Sequence, residues 1–447
     1  MKLKLNPVTR ELCLFALPML IGNILQSCYS MADMAVVGQF VGRDALAAVS
    51  NTSMIFFVSN SVCIGFTVGG GVLVAKYRGA GDKPAQMAII RTLFALSALG
   101  GVLLTATGYL VYPPLLRLMN TPAEALPHAA AYMSIVSAGN LFVFGYNAVC
   151  SVMRGLGDSR RPLYLVAVTS AVNIFLDYLL VGFFRLGVSG AAIATVFSQA
   201  VSCSVAIWVL WRQGRQDKDF VFRFDKYSLS PDKTHTGDIL RLGIPTALRS
   251  AALNLSYIVV AALFNGYGTA AAAAAGIGLK VNTFVAMPSW AVGQAVSTMA
   301  GHAMGARDPG RAGTIAVKGI LASLFCNCIF LSGIHLFLRP FLGLFSPDPE
   351  VIESGARYLL ICCSFNFIPS VVMNVLDNFA TGAGAPFVAM LNTLLHSAVI
   401  RLGLSFLLTA AFDYGFTGLC IAESVSPVIP CLIGLTFFLR GRWRSET

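Results

Sequence analysis

The sequence predicts an all-α polytopic membrane protein, with twelve transmembrane helices in two six-helix lobes related by a pseudo-two-fold axis along the membrane normal. Three observations carry this expectation. The 447 residues are 56% hydrophobic and only 11% charged, where soluble domains carry about 25% charged residues. Twelve apolar runs are each long enough to cross a bilayer, which takes about 20 residues. The chain also repeats itself at close to half its length. Gly79-Ala80-Gly81-Asp82 returns as Gly305-Ala306-Arg307-Asp308, and Tyr132 and Asn140 return as Tyr358 and Asn366, all shifted by 226. Pro18 returns as Pro245, and Gly155-x-Gly157 as Gly382-x-Gly384, shifted by 227; Gly187-x-x-Gly190 returns as Gly415-x-x-Gly418, shifted by 228.

In the first copy the runs cover 12–38, 46–75, 88–112, 126–153, 162–184 and 187–211. Pro18 opens the first and removes a backbone hydrogen bond there. The second carries Gly69-Gly70-Gly71, which suits close helix approach better than phosphate binding. Gly79-Ala80-Gly81 turns the chain into the third run. Gly155-x-Gly157 separates the fourth from the fifth, and the stretch around Leu186 turns the fifth into the sixth. The second copy covers 238–266, 269–304, 312–338, 350–380, 387–411 and 416–440, with Pro245 opening its first run. Six spans per copy is an even number, so both copies enter the membrane in the same direction. The domains expected are an N-terminal lobe at 1–211, a charged cytoplasmic linker at 212–238 and a C-terminal lobe at 239–447.

Roughly three-quarters of the 31 lysines and arginines fall on the side that holds both termini, which assigns the termini to the cytoplasm and the chain to a plasma (inner) membrane. The net charge of +11 is then topology and attraction to anionic lipid, and a nucleic-acid partner is not expected. The eleven cysteines lie in or beside apolar runs without zinc-site spacing. The basic start and first apolar run read as a retained span, because the repeat requires it, and not as a cleaved signal. No Gly-x-x-x-x-Gly-Lys-Ser/Thr motif and no catalytic constellation is present. The chain is expected to be no enzyme and to need no cofactor. An internal duplication of this size in an apolar chain points to a secondary transporter within the lipid bilayer, expected to act as a monomer.

Ionisable residues inside spans are costly and mark candidate sites. Asp177 lies nine residues before the Leu186 turn and Thr195 nine after it, so the two share a depth. Asn173 is one helical turn from Asp177, on the same face. Asp33 lies about nine residues from the turn at Gly42, at a similar level. Two carboxylates, an amide and a hydroxyl suit Na⁺, or a proton carried on one carboxylate; the alternative is a static network that fixes helix packing. No other metal site is expected. In the second copy, Arg401 and Glu423 lie about eleven residues to either side of Asp413 and read as a buried structural ion pair. Glu423 is the repeat-mate of Thr195, while nothing replaces Asp33 or Asp177. Arg249 and Asp377 stand near the cytoplasmic ends of their spans, as a pair closing the inner mouth or as snorkelling groups. Lys280 has three readings: partner to a carboxylate that has lost its proton, repulsion of cationic substrate, or packing with Glu423. His396 and Asn392, one turn apart, read as a satisfied polar pair. Pro18 and Pro245 are the candidate helix-bending positions.

The chain resembles the multidrug and toxic compound extrusion family across nearly all its length. The resemblance rests on Pro18 with Asp33-Met-Ala-Val-Val-Gly38, Ala45-Leu-Ala-Ala-Val-Ser50, Ala75-Lys-Tyr-Arg-Gly79-Ala-Gly81, Arg154-Gly-Leu-Gly-Asp158 with Pro162, and Gly305-Ala306. Within it the chain is most similar to the DinF-like branch. There, an Asp in the first helix, an Asn-x-x-x-Asp in the fifth and a Thr in the sixth form the coupling site; these match Asp33, Asn173, Asp177 and Thr195. The NorM-like branch relies on carboxylates in spans 7 and 10, a pattern that Asp238 and Asp377 do not reproduce. The resemblance implies export of drug-like, often cationic compounds driven by H⁺ or Na⁺ entry. A flippase for lipid-linked precursors is the alternative and would need a cavity rich in Arg and Lys. An intramembrane enzyme or scaffold is more remote.

Overall fold

The computed structural model describes residues 6–41, 43–118, 126–217, 220–343 and 348–446. The Gly42 turn, Lys2 and Lys4, and Lys218 and Asp219 of the expected linker lie outside the described residues, as do the side chains of Ala45–Ser50. Among the described residues every regular element is a helix. The first copy comprises α1 (Pro7–Phe40), α2 (Arg43–Gly79), α3 (Lys83–Leu118), α4 (Leu126–Ala138), α5 (Asn140–Gly155), α6 (Arg160–Asp177) continued by a π-helical stretch Tyr178–Phe183, and α7 (Gly187–Gln216). The second comprises α8 (Lys233–Asn265), α9 (Thr269–Gly305), α10 (Pro309–Leu336), a short α11 (Leu338–Gly343) and α12 (Pro349–Gly382). It ends with α13 (Pro386–Leu394), a π stretch Leu395–Arg401, α14 (Leu402–Phe406), a π stretch Leu407–Ala411, α15 (Gly415–Val425) and α16 (Val428–Arg440).

Nine of these helices are individually long and apolar enough to cross a membrane, and two bent pairs raise the number to eleven. The twelfth expected span is α9, a continuous 37-residue helix. Apolar side chains face outward along these helices: Leu336 is 78% exposed and Phe183 76%. The side chains of Asp177, Asp377, Arg401 and Glu423 are buried instead. That inversion of the soluble pattern is the signature of a multi-pass membrane protein.

The copies agree in detail. The α4–α5 pair bends by 46° around Gly139, and α12 bends by 54° between Cys362 and Asn366, the repeat-equivalent place. A Cβ at Gly139 would stand 2.8 Å from Val196 Cγ2, so α7 can approach only because that residue is glycine. The left-handed turn residues also recur: Gly157 (φ 80°) with Gly384 (φ 92°), Gly187 (φ 61°) with Gly415 (φ 53°), and Gly81 (φ 72°) with Arg307 (φ 56°). Of these three pairs only the last places a side chain where L-residues are strained, as Arg185 (φ 54°) and Asp413 (φ 51°) also do. Arg307 is exposed, so Arg307→Gly should stabilise the protein by about 0.5–1 kcal/mol after the added unfolded-state freedom of glycine is counted. Thermal unfolding in detergent measures this; a lower melting temperature would contradict the strain argument.

Two compact units form, and their limits differ from the expected 1–211, 212–238 and 239–447. One is Ile21–Ala247; the other joins Met1–Leu20 to Leu248–Thr447. Each opening helix is shared out two residues after its proline, Pro18 in α1 and Pro245 in α8. The physical reason is packing. Leu12, Ala16 and Met19 are buried in one core with Val292, Val296, Ile315, Phe379 and Trp443. In the other unit, α8 runs against α2 at glycines: a Cβ on Gly65 would lie 2.6 Å from Ala247 Cα, and one on Gly69 would lie 2.8 Å from Gly243 Cα.

The linker also departs from expectation. Residues 212–216 still belong to α7 and 233–238 already belong to α8. Asp232 accepts a hydrogen bond from the Thr234 amide at 2.7 Å, which caps α8 and lowers its carboxyl below the usual range. Between the helices, Phe222 is fully buried in the core with Leu93, Val152 and Leu210, edge-on to Phe94 and Phe224. Arg91 of α3 pairs with Asp225 at 2.5 Å. The segment is therefore packed onto its unit, because its aromatic residues interrupt its charges.

Candidate functional site

In α6 the side chains of Thr169, Asn173 and Asp177 recur every four residues and form one buried polar stripe, 4%, 1% and 0% exposed. It starts from a well-formed helix entry, where Asp158 accepts hydrogen bonds from the amides of Arg160 and Arg161 at 3.0 and 3.1 Å. Opposite it, α7 presents Thr195, Ser198 and Ser202 at a matching helical spacing. Thr169 and Ser202 hydrogen-bond to each other across the pair, and Thr195 donates to the Ala191 carbonyl at 3.0 Å. The stripe ends at Asp177, where the helix widens into the π stretch Tyr178–Phe183. Such widened turns are frequent at functional positions.

Asp33 of α1 and Asp177 are close enough for their charges to repel. Tyr132 of α4, 3% exposed, lies against Thr195 and within electrostatic reach of both carboxylates. An apolar jacket of Val36, Val37, Val181, Val188 and Ala191 surrounds the group and keeps the local dielectric low. Asp33 Oδ1, both polar atoms of Asn173 and both carboxylate oxygens of Asp177 are buried with no hydrogen-bond partner in the protein. Among the described residues neither aspartate forms an ion pair. Unpartnered buried polar atoms are rare and costly. Two such carboxylates side by side need a proton or a metal cation, and carboxylate, amide and hydroxyl oxygens are the hard donors that Na⁺ accepts.

The structure thus brings Asp33, Asn173, Asp177 and Thr195 into one unit at one place. Tyr132 belongs with them and was absent from the sequence-derived set. Its signal was available: Tyr132 and Tyr358 are among the few polar residues that the repeat preserves.

The second unit is arranged differently. Arg401 Nε and Glu423 Oε1 form an ion pair with side chains 1% and 4% exposed, and the Arg401 guanidinium carbon lies 4.1 Å from the Tyr257 ring centroid. Asp377 and Arg249 do not form an ion pair. Asp377 is held instead by Asn392 Nδ2 at 2.8 Å and Thr393 Oγ1 at 3.1 Å, whereas Arg249 donates to Asn378 Oδ1 at 3.2 Å. Asn392 and Thr393 are the neutral donors that reach the carboxylate, while Arg249 is taken up by the side chain of the adjacent Asn378. Nor do Asn392 and His396 satisfy each other: His396 Nε2 meets Ser426 Oγ at 3.3 Å. Lys280 is exposed on α9, and Glu423 is engaged by Arg401, which removes the packing reading of Lys280 with Glu423. Pro18 and Pro245 sit inside α1 and α8.

The MatE family model matches residues 18–179 and 245–407, once in each copy. The chain is 33% identical over 358 residues to the probable multidrug resistance protein YoeA of Bacillus subtilis (strain 168), covering 79% of this chain and 77% of that protein. It is 28% identical over 444 residues to the probable multidrug resistance protein NorM of Thermotoga maritima, covering 98% and 94%. A solved structure described as the outward-facing conformation of a multidrug resistance MATE family transporter of the MOP superfamily is similar at TM-score 0.91 and 22% identity, over 99% of this chain and 97% of that one; this likeness concerns the fold. With both copies matched and an identity of 33% across most of a relative, the chain belongs to the MatE (multidrug and toxic compound extrusion) family of membrane transporters.

Proposed function

We propose that this chain exports small, often cationic or amphipathic organic compounds by antiport against H⁺ or Na⁺, with Asp33, Asn173, Asp177 and Thr195 as the coupling site. The observation that carries the reading is the fully buried Asp177 beside the half-buried Asp33, with three of their four carboxylate oxygens buried and unpartnered and no ion pair to either among the described residues. An entering cation or proton neutralises the pair, and its release restores the repulsion between Asp33 and Asp177. Because Asp33 stands on α1, that repulsion acts on the helix that Pro18 weakens, so ion binding is converted into bending. Pro245 in α8 is the matching weak point of the second copy. The match of these four residues to the DinF-like pattern supports membership of that branch. The lysine and arginine distribution supports a plasma-membrane protein with both termini in the cytoplasm, acting as a monomer. A lipid-precursor flippase is not favoured, since Arg249 and Arg401 are each engaged by protein groups.

The test is transport by purified protein in proteoliposomes, with H⁺ and Na⁺ gradients imposed separately. Efflux of a fluorescent organic cation should follow one of the two gradients and collapse when that gradient is dissipated. Transport indifferent to both gradients, or retained at the wild-type rate in Asp33→Asn, would overturn the proposal.

A further inference from the structure

The repeat drifts by one residue across the span that carries the site, and the drift has a structural counterpart. The left-handed turn glycines Gly157 and Gly187 enclose 29 residues, whereas Gly384 and Gly415 enclose 30. Both copies have a π stretch just before the second of these glycines, Tyr178–Phe183 and Leu407–Ala411. Only the second copy has another, Leu395–Arg401; the corresponding part of α6 is regular. A π turn is how a helix absorbs one extra residue without losing its direction. Arg401 closes that turn. Beyond it the register is 228, which puts Arg401 in the place of Asn173, Ser405 in that of Asp177 and Glu423 in that of Thr195.

We propose that Arg401 is a built-in cation: its guanidinium fills, in the second copy, the place a mobile cation takes in the first. Removing it would open a latent site for guanidinium-type cations on Glu423 and Tyr257. The reading of the first copy as a cation site underlies this proposal. The guanidinium is fully buried, pairs with Glu423 and lies over the Tyr257 ring at 4.1 Å, two features of desolvated cation recognition. Its Nη1 and Nη2 make no hydrogen bond, so the group is held by charge and ring face, not by a fitted fork of acceptors. The Ser405 hydroxyl donates to the Arg401 carbonyl at 2.8 Å and takes no part in holding the charge. A tethered cation cannot leave. The consequence is that only the first copy cycles its ion, and the transporter moves one coupling site's worth of charge per turn instead of two.

The experiment is thermal unfolding of detergent-purified Arg401→Ala with methylguanidinium chloride, against KCl at the same ionic strength. Arg401→Ala should melt about 5 °C or more below wild type. Methylguanidinium, and not KCl, should recover at least half of the loss. Wild type and Arg401→Lys, whose site is already filled by a charge, should show no such gain, and neither should Arg401→Ala/Glu423→Gln. The proposal is overturned by absence of a methylguanidinium-specific gain, or by an equal gain in Arg401→Lys or in the Glu423→Gln background. It is also overturned if Arg401→Ala cannot be recovered even with methylguanidinium present from solubilisation onward. These measurements read binding in the second copy alone, so their failure leaves the Asp33–Asp177 coupling site standing, and failure of the transport assay leaves the binding result readable.

Discussion

Asp177→Asn is expected to reduce gradient-driven efflux by about 100-fold or more while leaving the protein at least as stable as wild type. The two effects have one cause. Asp177 is fully buried and neither carboxylate oxygen has a partner in the protein. A carboxylate in that position contributes nothing to stability unless a cation or proton joins it. An isosteric amide carries no charge to desolvate, so the substitution removes a penalty of about 1–3 kcal/mol. The same change removes a full charge from the ion's ligand set. Hydrogen bonds to charged groups alone are worth about 1.5–3 kcal/mol, and losing the charge adds to this, which at 1.4 kcal/mol per tenfold gives the stated reduction. Efflux in proteoliposomes and thermal unfolding of the same preparation test both halves. Loss of transport together with a comparable loss of stability would mean that Asp177 is a packing group. Retained transport would remove it from the mechanism altogether.

The helical architecture was legible because membrane insertion leaves few choices. Backbone groups in lipid must be satisfied within the segment, so apolar runs of the right length become helices, and α1 to α16 cover the twelve expected runs. The first-copy site was legible for a related reason. Charges are so costly in spans that Asp33 and Asp177 stood out, and counting from the Leu186 turn placed Asp177 and Thr195 together. Where charges were plentiful the same logic gave less. The segment 212–238 reads as a solvated linker on its charges, yet Phe222 buries itself against Phe94, because one aromatic side chain outweighs several charges that remain in water. Arg249 and Asp377 were matched by sign and depth alone. Depth does not specify the face of a helix, and Asn392 and Thr393 on the neighbouring α13 reach the carboxylate first. The division of α1 and α8 between units was hidden because each helix runs unbroken through it. Only tertiary contacts distinguish Leu12 from Val36.

Glu423→Ala, by contrast with Asp177→Asn, is expected to cost about 3–5 kcal/mol. Its partner Arg401 is 1% exposed and fixed by one ion-pair contact and the Tyr257 face. With the carboxylate gone, a guanidinium that cannot shed its proton remains buried without a counter-charge. Replacing both members by apolar residues of similar size, as in Arg401→Met/Glu423→Leu, removes both desolvation penalties together. That double variant should fall within about 1 kcal/mol of wild type. The thermal stabilities of wild type, Arg401→Met, Glu423→Leu and the double variant close a cycle, and a coupling of about 3 kcal/mol or more is expected from it. Glu423→Ala as stable as wild type would mean that the pair contributes nothing to the fold. The double variant should also keep gradient-driven efflux within about twofold, because its charge was never mobile. A transport collapse in a stable double variant would show instead that both copies exchange an ion, and that the asymmetry between Asp177 and Arg401 is one of chemistry and not of role.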